Sequence, residues 1–196
     1  MNTNTRQFPK IVLSGGPGGG KTVAADLFRR ELGELVVVVP ESATLLFSGG
    51  FPRTDNTDIT KATQRAIFHV QKNLEDIQSH CYQDRILICD RGTLDGLAYW
   101  PGSDEAFLEE MNTNFEHELN RYDGVVFFES AAVGDISIEG GNPTRIEDLE
   151  SARRLDKRLQ DIWRKHPNFT FVPHEESFIN KVVNGLEAIR KIVDKS

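Results

Sequence analysis

The stretch Ile11–Thr22, IVLSGGPGGGKT, joins an apolar run to a glycine-rich turn that ends in Lys-Thr. Gly15, Gly16, Pro17, Gly18, Gly19, Gly20, Lys21 and Thr22 satisfy the spacing G-x-x-x-x-G-K-[ST]. Glycines let the backbone wrap an anion so that successive N–H groups point inward. Lys21 reaches the β- and γ-phosphates of a nucleotide, and the Thr22 hydroxyl is a ligand for Mg²⁺. The helix expected from Lys21 to Leu32 aims its positive end at the same anion. Average residue usage yields such a match by accident in on the order of one chain in a hundred of this length. An apolar strand before the turn and an amphipathic helix after it complete the context, so the stretch predicts nucleotide binding.

Further apolar runs recur along the chain. Leu35–Val39, Arg85–Cys89, Val125–Phe128 and Phe169–Val172 join Ile11–Leu13 as strand candidates. They do not alternate apolar with polar residues, the pattern of strands buried on both faces of a parallel sheet. Helical patterns lie between them at Lys21–Leu32, about Asp58–His80, about Asp104–Asn120 and Glu147–Lys165, and Ser177–Val193 follows the last strand. Alternating β and α units predict a three-layer α/β/α sandwich with right-handed crossovers. At roughly 100–200 residues per domain, the 196 residues form one domain, 1–196. Two stretches break the rhythm: FSGGFPRTDNTD at Phe47–Asp58, and AAVGDISIEGGNPTR at Ala131–Arg145. A loop of about 15 residues in a compact domain is usually functional or disordered, and segment 131–158 reads as a mobile lid insert.

Ligands of open α/β sheets sit at the carboxyl ends of the strands, so the residues that follow each strand matter. Glu41 follows the second strand, Asp90 and Arg91 the third, Glu129 the fourth, and His174 the fifth. Asp90 ends an apolar strand as a carboxylate that holds Mg²⁺, directly or through water, does; the competing reading is a solvated turn aspartate. Arg91 can pair with a transferring phosphoryl group or form a surface ion pair. Glu41 can accept a proton from an attacking hydroxyl, help hold the metal, or serve as an N-cap or first-turn acid for the helix that begins near Ser42. Glu129 is open between site and surface, and His174 reads as a loop residue near the base of the nucleotide. Arg145 ends the irregular segment. A loop and helix carrying arginines can close over a nucleotide and supply charge to the transition state. Arg145 is assigned that role. For Arg153 and Arg154 the choice between lid contact and intrahelical pairing stays open. Leu149, Ala152, Leu155, Leu159 and Ile162 are the expected buried face of that last helix. An acceptor pocket is expected between Glu41, the Phe47–Asp58 loop and the helix carrying Gln64, Phe68 and Gln71, where a glutamine could read a base edge or simply be exposed.

The formal charge is −7 and the composition is 27% charged and 38% hydrophobic, ordinary for a globular chain. The acidic pI of about 5.3 argues against holding nucleic acid by an overall field. Cys81 and Cys89 form neither a disulfide framework nor a zinc spacing and read as reduced thiols. The longest aliphatic run, Leu35–Val39, is far short of the ~20 residues that span a bilayer. The first six residues lack an apolar signal core. A cytoplasmic location is the expectation.

The segments SGGPGGGKT (14–22), PESATLLFSGG (40–50), CDRGTLDG (89–96), FFESAA (127–132), NPTRIEDLESARRLD (142–156), IWRKHPN (162–168) and SFINKV (177–182) together are similar to a known pattern. The chain resembles the P-loop kinase-like AAA domain shared by the nicotinamide-riboside kinase portion of NadR and the TRPL translocation defect protein of insects, from about Pro9 to Val193. The resemblance implies a five-stranded parallel sheet of order 2-3-1-4-5 and a mobile lid. It implies that Glu41 is base or metal partner, that Asp90 and Arg91 surround Mg²⁺ and the phosphoryl group, and that Arg145 is a lid arginine.

Three functions compete on these residues. One is a small-molecule, nucleoside-like kinase moving the γ-phosphoryl of ATP·Mg²⁺ to a hydroxyl, with Lys21, Glu41, Asp90, Arg91 and Arg145 as its chemistry and Thr22 and Asp90 as metal ligands. The second is a nucleotide-dependent switch, on ATP or GTP, with a lipid or protein partner and little turnover. The third is a nucleotide hydrolase. Glu41 with Asp90-Arg91 favours the first. Asn180-Lys181-Val182-Val183 lacks the aspartate of a guanine-reading N-K-x-D.

Overall fold

A computed structural model describes residues 8–134 and 149–194. Five parallel strands form one sheet: β1 (Lys10–Ser14), β2 (Val36–Val39), β3 (Ile86–Asp90), β4 (Gly124–Phe128) and β5 (Phe169–Val172), in the order β2-β3-β1-β4-β5. The expected three-layer sandwich and strand order are therefore present. The helices are α1 (Lys21–Leu32), α2 (Ser42–Ser48), α3 (Thr57–Cys81), α4 (Asp104–Glu110), α5 (Phe115–Leu119), α6 (Leu149–Trp163) and α7 (Phe178–Val193). A 3-10 turn, Thr93–Ala98, follows β3.

Successive side chains of a strand point to opposite faces, and that alternation builds two cores. Val12, Leu87, Cys89, Val125 and Phe127 pack on one face with Phe68 of α3 and Leu159, Ile162 and Trp163 of α6. Ile11, Leu13, Ile88, Val126 and Phe128 pack on the other with Ala24, Ala25 and Phe28 of α1 and Ile189 and Ile192 of α7. The central strands are buried on both sides, which is why their sequences read as unbroken apolar runs.

Three expectations shift. Leu35 belongs to a 3-10 turn, Gly33–Leu35, and is 58% exposed, so β2 begins at Val36. The helix expected over 104–120 is two helices. Asn112 takes a left-handed φ of 50° and the Asn114 side chain accepts the His117 N–H, stopping one helix and capping the next. On α6, Leu149 is exposed and Leu155 half-buried, whereas Asp156 and Trp163 are buried. The buried face is Ala152, Asp156, Leu159, Ile162 and Trp163, so the expected Ala152, Leu159 and Ile162 are joined by Asp156 and Trp163.

Helix α3 also turns polar groups inward. Its buried positions include Gln64, Phe68, Gln71 and Glu75, one face at spacings of four, three and four. Glu75 is fully buried. Its Oε1 accepts Tyr122 O–H at 2.8 Å and Gln71 Nε2 at 3.3 Å; its Oε2 accepts Arg121 NH2 at 2.9 Å and Lys10 Nζ at 3.4 Å. One carboxylate thus joins α3, β1 and the turn before β4. Glu75→Ala should cost about 3 kcal/mol, because it removes the buried carboxylate that the Tyr122 hydroxyl and the Lys10 and Arg121 cations share. Glu150→Ala, which removes the exposed Arg154 pair, should stay within about 0.5 kcal/mol. Urea unfolding of the two variants checks the contrast.

Candidate functional site

The glycine-rich turn wraps between β1 and α1 at the carboxyl edge of the sheet. Gly15 adopts φ 141°, and a Cβ there would lie 2.0 Å from the Phe128 carbonyl oxygen. Only glycine lets the loop lie against the end of β4. Gly20 caps α1 at φ 82° beneath the Phe178 ring. Lys21 is buried and its Nζ donates to the Gly16 carbonyl at 2.8 Å. The lysine is held inside the loop by the chain that would surround a phosphate.

Asp90, the last residue of β3, meets the loop. Its Oδ2 accepts the Thr22 hydroxyl at 2.6 Å, while the buried Oδ1 has no hydrogen-bond partner. Burial and the Glu41 charge push this carboxyl above its usual range, against the opposing pull of Thr22, Lys21 and Arg91.

Arg91 leaves the strand at a left-handed φ of 73°. Its N–H donates to the Leu13 carbonyl at 3.0 Å and its carbonyl accepts Gln71 Nε2 at 3.3 Å. The side chain is 9% exposed. Nε donates to Glu41 Oε1 at 2.5 Å and NH1 to Asp95 Oδ2 at 2.7 Å. Glu41 Oε2 also accepts the Thr44 hydroxyl at 2.5 Å. Burial would raise the Glu41 carboxyl, but the Arg91 charge, the Thr44 hydrogen bond and Lys21 outweigh it and bring it down to about 2. Glu41 is therefore a carboxylate at every pH in the neutral range.

A cavity opens beside these groups. Its lining includes Pro17 of the loop, Glu41, Arg91, Phe47, Gln64 and Tyr99. The two glutamines of α3 differ. Gln71 Oε1 accepts the Ser42 N–H at 3.1 Å, and Nε2 donates to Glu75 and to the Arg91 carbonyl. Its amide is spent on the fold and does not serve as the expected edge reader. Gln64 is 7% exposed, lines the cavity and makes no side-chain hydrogen bond among the described residues.

Helix α6 reaches the loop through a residue the sequence reading passed over. Asp156 Oδ1 accepts the N–H of Gly16 at 2.7 Å and of Ser130 at 2.9 Å. Ser130 Oγ donates to the Pro17 carbonyl. Burial holds the Asp156 carboxyl above its usual range despite those two N–H groups. An acid on an otherwise apolar 4-3-4 stripe is the signal that exposes it. Arg153 Nε donates to the Ala132 carbonyl at 2.6 Å, whereas Arg154 is exposed and paired with Glu150 and Ser151. Glu129 Oε2 accepts the His174 N–H at 2.7 Å, so this third strand-end carboxylate ties β4 to the turn after β5. Arg145 lies outside the described residues. No described helix is long and apolar enough to cross a membrane. Among the described residues no group of three or more His, Cys, Asp or Glu gathers as a metal site.

A family model described as an AAA domain matches residues 10–177. No curated protein matches the sequence. The deoxyadenosine kinase of M. mycoides with bound dATP superposes with a TM-score of 0.62 at 16% identity, covering 93% of this chain and 99% of its own. The thymidylate kinase of Ehrlichia chaffeensis superposes at 0.58 and 20% identity, covering 94% and 98%. At these identities the likeness establishes a shared fold, that of P-loop nucleoside and nucleotide kinases.

The lowered Glu41 carboxyl carries a sign. A group depressed in the folded state stabilises it above its ordinary value of 4.5, and that contribution is lost as pH falls towards about 2. Carboxyl NMR should find Glu41 titrating at about 2 in the wild type and about 1–3 units higher in Arg91→Gln, the scale an adjacent arginine imposes. An unshifted Glu41 in the wild type would mean the pair does not form in solution.

Proposed function

The chain belongs to this AAA domain family, and from that footing we propose that it is a small-molecule kinase, moving the γ-phosphoryl of ATP·Mg²⁺ to a hydroxyl of a nucleoside-like acceptor. The observation that carries the reading is the cavity running from Pro17 of the phosphate loop past Glu41 and Arg91 to Gln64 and the Phe47 and Tyr99 rings. A switch that only binds nucleotide needs the loop but has no use for a second, partly aromatic compartment beside it. A kinase needs both.

In this reading Gly15–Thr22 bind the triphosphate, and because those contacts go to phosphate the same cradle admits GTP. Thr22 and Asp90 would hold Mg²⁺. The residues fit: both supply hard oxygen ligands, and Asp90 Oδ1 is buried without a hydrogen-bond partner. When bound, the ion neutralises charge on the β- and γ-oxygens. Glu41 is ionised at neutral pH, accepts the hydrogen bond of the acceptor hydroxyl and takes its proton as the new O–P bond forms and the bond from the γ-phosphorus to the β–γ bridging oxygen breaks, with ADP leaving. Its low pKa makes it a weak base, which suffices, because a loose phosphoryl transfer asks more for orientation than for proton abstraction. Arg91 fixes Glu41 and borders the cavity. Gln64 offers one donor and one acceptor to a flat acceptor edge. The whole chain is one catalytic domain, with 131–158 as its lid and Arg145 assigned to the charge that develops on the transferring group.

The test is to incubate the protein with ATP·Mg²⁺ and, separately, nucleosides, sugars and vitamins, and to look for phosphorylated product. Product from at least one nucleoside-like compound is expected, and Arg145→Ala should lower its kcat by on the order of 10²–10³ while ATP affinity falls less. ATP consumed with water alone as acceptor would sink the kinase assignment.

A further inference from the structure

Asp95 has no part in the chemistry above, yet it is almost wholly buried beneath the site. It sits in the 3-10 turn Thr93–Ala98, four residues after Arg91. Its Oδ1 accepts the Ser14 hydroxyl at 3.0 Å and the Trp163 indole N–H at 2.6 Å; its Oδ2 accepts Arg91 NH1 at 2.7 Å. Ser14 is the last residue of β1, immediately before the phosphate loop. Trp163 is the last residue of α6, and α6 carries Asp156, which holds the loop's Gly16 N–H. Arg91 in turn holds Glu41. A single carboxylate is therefore bonded to the strand that delivers the phosphate loop, to the helix that grips that loop, and to the arginine that fixes the carboxylate facing the cavity.

We propose that Asp95 is a positioning residue that couples the phosphate loop and helix α6 to the Arg91–Glu41 pair, so that seating a nucleotide phosphate sets the orientation of Glu41. The purpose of the coupling rests on the kinase reading; the coupling itself is read without turnover. Three features favour it. Both Asp95 oxygens are engaged, so the carboxylate cannot rotate without breaking a buried hydrogen bond. The indole has one N–H, and donating it fixes the ring orientation. The ring is also wedged: a Cβ at Gly92 would come within 2.7 Å of it, and Tyr122 packs edge-on at 5.5 Å. With so little slack, a displacement of α6 reaches Asp95, and a displacement of Asp95 reaches Arg91. Networks of this kind count as couplings only when perturbing one end moves the other.

The experiment is ¹H–¹⁵N NMR of the full chain with ATP·Mg²⁺ as the probe, following the Trp163 indole N–H and the Arg91 Nε–H. In the wild type, ATP·Mg²⁺ should shift both resonances together. Asp95→Asn keeps the shape and an oxygen for Ser14 and Trp163 but confronts Arg91 with a donor. It should abolish the Arg91 Nε–H response and speed exchange of the Arg91 NH1 protons, the ones Asp95 accepts, by roughly ten-fold, the scale of one lost hydrogen bond to a charged group. A retained indole signal reports that the variant is folded. Trp163→Phe removes the indole N–H that links Asp95 to α6 while keeping an aromatic ring in the core, and should cut the Arg91 response several-fold. Arg91 responding at wild-type amplitude in both variants would overturn the proposal, as would unchanged Arg91 exchange in Asp95→Asn without nucleotide. Failure to find any phosphorylated product from the wild type would remove the kinase reading and leave these spectra as they stand.

Discussion

The site depends on the way Arg91 leaves strand β3. A left-handed φ of 73° is uncommon for a residue with a Cβ, and here it turns neighbouring side chains to different tasks. Asp90 meets Thr22 at the phosphate loop; Arg91 meets Glu41 and Asp95 at the cavity. The conformation is over-determined, as strained residues at functional sites tend to be. Leu13 and Gln71 hold the Arg91 backbone from either side, and two carboxylates hold its guanidinium.

From that point the surrounding helices share the work. Helix α3 presents a polar stripe inward, with Gln71 binding the backbone beside both Glu41 and Arg91, and Glu75 anchoring the stripe to β1 and the turn before β4. Helix α6 grips the phosphate loop with Asp156 near its middle and Asp95 with Trp163 at its end. Buried polar groups of this kind are costly unless fully paired. Asp90 Oδ1 is among the buried acceptors left without a hydrogen bond, and it belongs to the carboxylate that takes the Thr22 hydroxyl, where the proposed metal would sit.

Much of this was legible in the residues. The phosphate loop announced itself by spacing, and the five strands by apolar runs that do not alternate. The Glu41, Asp90 and Arg91 positions followed from the rule that ligands gather at strand ends. What was not legible came from side chains that look ordinary along the chain. Gln71 and Gln64 are equally polar, and only the location of the Ser42 N–H and the Arg91 carbonyl distinguishes the committed amide from the open one. Asp156 and Asp95 carry no spacing signal of their own along the chain, and only the register of α6 and the fold of the 3-10 turn bury them. The break at Asn112–Asn114 was present as two asparagines in a helical pattern, but the amphipathic period on either side outweighed it.

In the proposed site, Thr22 and Asp90 form the metal end of a nucleotide phosphate cradle. Calorimetric titration of ATP with and without Mg²⁺, on the wild type and on Asp90→Asn, tests it most directly. Mg²⁺ should tighten ATP binding to the wild type by about ten-fold or more, the scale of one charged contact, and most of this gain should disappear in Asp90→Asn while metal-free affinity changes little. An equal gain from Mg²⁺ in both proteins would contradict it.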